Sequence, residues 1–132
     1  MIYSTTVKYA LMALIELASS PGQRVQIRDL SESTGIPRQF LGKIVQTLVK
    51  AGILISSRGR GGGIQYATDP NGVSIASIIR IIDGNSALMN CMFGLQLCDG
   101  TRNCPIHPLW GPIREQILEF LEKTTLADLA NA

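Results

Sequence analysis

Three cysteines and the chain's only histidine fall within one short stretch, Cys91-x6-Cys98-x5-Cys104-x2-His107. Thiolates are the usual ligands of iron–sulfur clusters, and histidine can replace one of them. The stretch therefore offers four candidate metal ligands, and Gly94, Asp99 and Gly100 let the chain wrap around an ion or cluster. Structural zinc sites usually begin with cysteines two to four residues apart. The longer first gap here leans toward a cluster over zinc. The plainer reading is that Cys91 and Cys98 are inert thiols or a redox disulfide, and that His107 merely starts a helix. Clustered cysteines in odd number do not suit a disulfide framework, which uses an even number spread along the chain.

A second constellation lies in the first half of the chain. Residues 1–70 hold eight basic groups (Lys8, Arg24, Arg28, Arg38, Lys43, Lys50, Arg58 and Arg60) against four acidic ones, whereas residues 71–132 hold four basic and six acidic. The basic half is the candidate nucleic-acid face. Arg38, Gln39 and Lys43 follow a glycine turn and a proline, where a recognition helix would begin. Arginine pairs with guanine and glutamine with adenine through bidentate hydrogen bonds. Arg28 joins them from the preceding helix. Arg58 and Arg60 stand in the run Arg58-Gly-Arg-Gly-Gly-Gly63, and arginine among glycines suits a narrow, electronegative minor groove. An ordinary flexible hairpin loop is the alternative. Gly42, inside the recognition helix, either lets the backbone approach the groove or is a tolerated substitution on an exposed face.

These residues need particular elements to hold them. The spacing predicts a first helix from about Ser4 to Ser19 with Val7, Leu11, Leu14, Ile15 and Ala18 on its buried face. A short helix follows over about Ile27 to Thr34. After Gly35, Pro37 is expected at the first position of a third helix with Phe40, Leu41, Ile44, Val45 and Leu48 inward, stopped by Gly52. Two β-prone runs, Ile53–Ser57 and Ile64–Ala67, make a hairpin with a glycine-rich tip. Asp69-Pro-Asn-Gly72 is a turn, and Ser74 can cap a fourth helix that buries Ile75, Ile78, Ile79 and Ile82. The cysteines occupy an irregular segment to about Ile106. A long final helix runs from near Pro108 to Lys123, with Trp110, Ile113, Ile117, Phe120 and Leu121 as its stripe; Thr125–Ala130 adds a turn or two. Helix, short helix, glycine turn, helix and two-stranded wing is the order of a winged helix-turn-helix.

With 45% apolar residues, intrinsic disorder is not expected. The apolar run from Tyr9 to Ile15 is interrupted by Glu16 and is too short to span a bilayer. A soluble, cytoplasmic protein without a membrane partner is expected. No nucleophile–base pair or phosphate loop stands out, so an enzyme is not expected.

The chain resembles the Rrf2 family of winged-helix regulators over almost its whole length. Tyr9-Ala-Leu, Ile36-Pro-Arg-Gln-Phe-Leu41, the glycine-rich wing, the three cysteines and Cys104-Pro-Ile-His-Pro-Leu-Trp110 carry the likeness. The fold so implied is mainly α with a small β-hairpin wing and a long C-terminal dimerisation helix. The resemblance also implies a homodimer that reads a palindromic operator in double-stranded DNA. It implies a cluster on Cys91, Cys98 and Cys104. In the IscR-like branch the fourth ligand is a histidine, matched by His107, and the cluster is [2Fe-2S]. In the NsrR-like branch a nitric-oxide-sensing [4Fe-4S] cluster takes an acidic ligand from the first helix. Thr5-Thr-Val-Lys8 offers no carboxylate, which favours [2Fe-2S] over [4Fe-4S]. The first cysteine gap is one residue longer here than in either branch. A cluster-free regulator of the same fold, set by thiol oxidation or a partner protein, is the alternative. The expected division is a DNA-binding unit over 1–70, a linking helix and cluster loop over 71–106, and a dimerisation helix with a terminal turn over 107–132.

Overall fold

The computed structural model describes residues 4–20, 22–89 and 104–132. Helix α1 spans Thr5–Ala18, and its N-cap, Ser4, accepts from the Val7 N–H through Oγ at 3.2 Å. The buried face is Val7, Ala10, Ala13, Leu14 and Leu17. It is thus rotated from the expected one: Leu11, Ile15 and Ala18 are only half-buried. Helix α1 is surrounded by other helices, and the small Ala10 and Ala13 let those neighbours come close while the larger Leu11 and Ile15 move to the rim.

Helix α2 covers Ile27–Thr34 and ends on Gly35, whose φ of +76° is left-handed. Helix α3 covers Arg38–Lys50. Pro37 is its N-cap and not its first helical residue: Pro37 has an extended ψ of 137°, and its carbonyl accepts the Leu41 N–H at 3.0 Å. Leu41, Ile44, Val45 and Leu48 are buried as expected, but Phe40 is 57% exposed. At about 100° per residue, position 40 falls to one side of the arc centred on Leu41 and Leu48. The Phe40 ring rests instead beside Tyr9, with centroids 6.3 Å apart.

Strands β1 (Leu54–Ser57) and β2 (Gly63–Tyr66) pair antiparallel, with Leu54 opposite Tyr66 and Ser57 opposite Gly63. A 3₁₀ turn at Pro70–Gly72 leads to α4 (Ile75–Asp83). Ser74 caps α4 by accepting from the Ser77 N–H at 3.1 Å. Ile75, Ala76, Ile78 and Ile79 are buried in α4, and Ile82 is half-buried at its edge. A second 3₁₀ stretch, Asn85–Met89, follows.

Helix α5 runs His107–Lys123 and α6 Leu126–Ala130. A reciprocal cap starts α6: the Asp128 N–H donates to Thr125 Oγ1 at 3.1 Å, and the Thr125 N–H donates to Asp128 Oδ2 at 2.9 Å. The stripe expected on α5 divides in two. Leu121 is buried with Ile117 and Leu118 beside it. Ile113 and Phe120 are 51% and 56% exposed, and Leu109 is 73% exposed. Positions 109, 113 and 120 share one side of the helix, turned away from the side that packs on α4.

The larger core cluster joins Leu14, Leu30, Ile36, Leu41, Leu48, Leu54 and Ile64 to Val73, Ile78 and Leu126. The wing and helix-turn-helix therefore share their interior with α4 and α6. A second cluster, with Val7, Ile79, Leu88 and Leu121, seats α5 on α4 and α1.

Candidate nucleic-acid interface and cysteine turn

The amphipathic pattern of α3 turns its apolar arc to α1 and α2 and leaves Gln39, Lys43 and Gln46 on the opposite side, at i, i+4 and i+7. All three are exposed, as is Arg38 at the head of the helix. Arg28 is exposed on α2, with its Nε 3.7 Å from Asp29 Oδ1, a surface pair of little energetic weight. Arg58 and Arg60 are exposed on the wing tip.

The tip is tightly built. A Cβ on Gly62 would lie 2.5 Å from the Ser57 carbonyl oxygen. A Cβ on Gly63, where φ is +136°, would lie 2.8 Å from the Val25 carbonyl oxygen. Only glycine fits at these two positions. The crowding at Gly63 has a cause that the sequence reading missed: residues 24–26 add an edge to the hairpin. Val25 and Ile64 exchange both backbone hydrogen bonds, Val25 N–H to Ile64 O at 2.9 Å and Ile64 N–H to Val25 O at 2.8 Å. On either side, Arg24 Nη1 donates to Gly61 O at 3.0 Å and Gln26 Nε2 donates to Gly62 O at 2.8 Å. The alternation Arg24-Val-Gln26 was the available signal, since a lone apolar residue between polar ones fits one inward position of an edge strand.

Tyr66 fastens the other end of the wing. Its hydroxyl donates to the Leu14 carbonyl of α1 at 2.6 Å. Burial pushes the phenol pKa well above its ordinary value, so the donor stays protonated.

Of the four expected ligands, Cys91 and Cys98 lie outside the described residues. Cys104 is a half-buried free thiol. The His107 N–H donates to the Cys104 carbonyl at 3.1 Å, so one turn carries both side chains into the start of α5. The imidazole lies against Gly111, where a Cβ would sit 3.6 Å from its Cε1 and Nε2. One turn further on, the Trp110 indole Nε1 is buried with no acceptor among the described residues. No group of three His, Cys, Asp or Glu side chains occurs among the described residues. A thiol and an imidazole at the head of a helix that also bears a buried indole N–H without an acceptor among the described residues suit a sulfur-rich anionic group.

Comparison with known proteins agrees with this architecture. A family model described as Rrf2, an iron-dependent transcriptional regulator, matches residues 3–132. The chain is 33% identical over 133 residues to a putative HTH-type transcriptional regulator of Aquifex aeolicus, covering 99% of this chain and 92% of that one. It is 33% identical over 125 residues to the HTH-type transcriptional regulator IscR of Yersinia pseudotuberculosis, covering 94% and 76%. Among solved structures, CymR, the global cysteine regulator of B. subtilis, superposes with a TM-score of 0.83 at 27% identity, covering 99% and 97%. IscR of T. potens superposes with a TM-score of 0.78 at 26% identity, covering 99% and 87%. With a winged helix-turn-helix fold and a family match across nearly every residue, the chain belongs to the Rrf2 family of transcriptional regulators.

Proposed function

We propose that this regulator binds a palindromic operator as a homodimer, and that an iron–sulfur cluster on Cys91, Cys98, Cys104 and His107 controls its affinity. The observation that carries the reading is the Cys104–His107 turn, which makes two of the four ligands part of the start of α5. Bound there, a cluster would supply a bond network sensitive to redox state and iron supply, [2Fe-2S] with the histidine as fourth ligand. The remaining roles belong to the chain's own side chains. Arg38, Gln39 and Lys43 read the major groove, Arg28 holds a phosphate, and Arg58 and Arg60 enter the minor groove. The exposed Leu109, Ile113 and Phe120 are the apolar face that a second copy covers. Residues 1–70 then serve DNA, 71–106 the ligand segment, and 107–132 the dimer. The site is one for cytoplasmic DNA, and no helix among the described residues is long and apolar enough to cross a membrane.

Coupling follows from the packing. Helix α5 rests on α4 and α1 through Ile79, Leu88, Val7 and Leu121, and α1 shares the other core cluster with α3. A change in how Cys104 and His107 are held alters the seat of α5, and with it the relative population of dimers that fit the operator.

The test begins with protein purified without oxygen, its Mössbauer and ultraviolet–visible spectra, and iron and sulfide counts. A [2Fe-2S] signature that changes on His107→Ala supports the reading. A [4Fe-4S] signature moves it to nitric oxide or iron sensing. Operator selection from random duplexes then compares wild type with Cys98→Ala: loss of cluster without change in affinity would defeat the coupling. A second reading is a thiol-controlled regulator, favoured by the half-buried free thiol of Cys104 and the likeness to CymR. Protein without iron, even after reconstitution, selects it.

A further inference from the structure

We propose that Arg24 is a third arginine of the wing and that it grips a backbone phosphate of the bound DNA. Three observations meet at this residue. First, Arg24 is held at the wing tip although it precedes α2 in sequence: Nη1 donates to Gly61 O at 3.0 Å and Nε to Gln65 Oε1 at 3.4 Å. Gly61 directly follows Arg60, so the guanidinium is fastened next to one of the two tip arginines. Second, these bonds use two of the five N–H donors of the guanidinium. The side chain is exposed, and no carboxylate pairs with it among the described residues. Third, its support is rigid. The Val25–Ile64 pair and the Gln26–Gly62 bond at 2.8 Å fix the strand that bears it.

Both bonds made by Arg24 go to neutral acceptors, a backbone carbonyl and an amide oxygen. They orient the fork and leave its full positive charge in place. An arginine fixed in this way loses little side-chain entropy on meeting a phosphate, and a planar fork matches phosphate oxygens. A base contact is the poorer match, because the donors already spent on the tip tie the group to the rim of the wing. Phosphate contacts carry no sequence information but hold the wing in register for Arg58 and Arg60. This inference rests on DNA binding by the family's wing and not on the cluster.

The test is the salt dependence of binding by the full-length protein to a duplex selected from a random-sequence pool, with wild type measured alongside Arg24→Gln and Arg24→Lys. Each phosphate contact contributes about 0.9 to the slope of log K against log salt concentration. Because the proposed homodimer carries two copies of Arg24, the expected result for Arg24→Gln is a slope shallower by about 1.8, about 0.9 for each phosphate, and an affinity roughly tenfold lower at low salt. Arg24→Lys, which keeps the charge, retains the wild-type slope. Circular dichroism and thermal melting check that each variant is folded; Arg24→Met, which keeps the aliphatic stem, replaces Arg24→Gln if that variant is not. A neutral variant with the wild-type slope, whatever its affinity, overturns the proposal and leaves Arg24 a brace of the wing alone. Failure of the wild type itself to bind any duplex would instead defeat the DNA-binding reading.

Discussion

Asp83, the last residue of α4, caps α1 from 79 positions away: its Oδ1 accepts from Ser4 Oγ at 2.6 Å and its Oδ2 from the Ser4 N–H at 3.2 Å. Ser4 Oγ in turn accepts from the Val7 N–H, so a carboxylate and a hydroxyl together serve the head of α1. The negative charge also faces the positive end of the helix dipole. Asp83→Ala is expected to lower stability by about 1 kcal/mol, with Asp83→Asn in between. Urea unfolding followed by circular dichroism measures both.

Gly42 is half-buried in α3, and a Cβ there would meet only Ile27 Cδ1, at 3.9 Å. The open space faces Ile27 of α2, on the flank of α3 that borders Gln39 and Gln46. Gly42→Ala is therefore expected to stabilise the protein by about 1 kcal/mol, the helix-propensity difference, with unchanged operator affinity. Thermal melting and a binding titration on the same sample decide it; weaker binding would revive the close-approach account of this glycine.

Tyr66 joins the wing to α1 through a hydroxyl held at 2.6 Å from Leu14 O. Tyr66→Phe removes that donor from a buried setting and is expected to cost about 1 kcal/mol of stability. Because β2 then loses its hydrogen bond to α1, amide exchange in β2 is expected to speed up more than in α5, which hydrogen–deuterium exchange reads residue by residue.

The Arg80 guanidinium on α4 hydrogen-bonds Glu122 of α5 and holds its carboxyl below the ordinary value of 4.5. A carboxylate with a lowered folded-state pKa stabilises the fold above the unfolded pKa and loses that contribution as pH falls through the folded value. Both partners are more than a third exposed, so the contribution lies within about 1 kcal/mol. Glu122→Gln is expected to melt slightly earlier than wild type at pH 7, and the gap is expected to close on acidification below the ordinary carboxylate range. A gap that persists in strong acid would assign the effect to packing.

Features set by short-range chemistry were legible from the sequence: the order of helices, the Gly35 turn, the hairpin with its glycine tip, the Ser74 cap and the close spacing of Cys104 and His107. Misreadings arose where a neighbour distant in sequence decides. Periodicity reveals that α1 has an apolar side, but its centre, at Ala10 and Ala13, depends on which helices crowd it. The α5 stripe has the right period, yet Leu121 faces α4 while Ile113 and Phe120 face outward, and one period cannot separate two partners. Phe40 is apolar and fits a core pattern, but its angle on α3 sets it at the flank. The alternation around Val25 hints at an edge strand, but the partners of Arg24 and Gln26 lie 37 and 36 residues on, and no local pattern names them.

The far end of α5 has its own attachment. The Ile75 N–H donates to Thr124 O at 3.0 Å, the Leu126 N–H donates to Val73 O at 2.9 Å, and Leu126 is wholly buried beside Leu14 and Ile78. Helix α5 is thus a rod with a bolted foot, about 25 Å long at 1.5 Å per residue, and Cys104 and His107 stand at its opposite tip. Near the tip the rod carries Gly111 and, inside the helix, Pro112, whose missing N–H removes one helix hydrogen bond and marks a point where the rod bends. In the coupling proposed above, a push at the tip that passes this bend would tilt the rod about its foot, and that foot lies inside the core that carries the recognition helix.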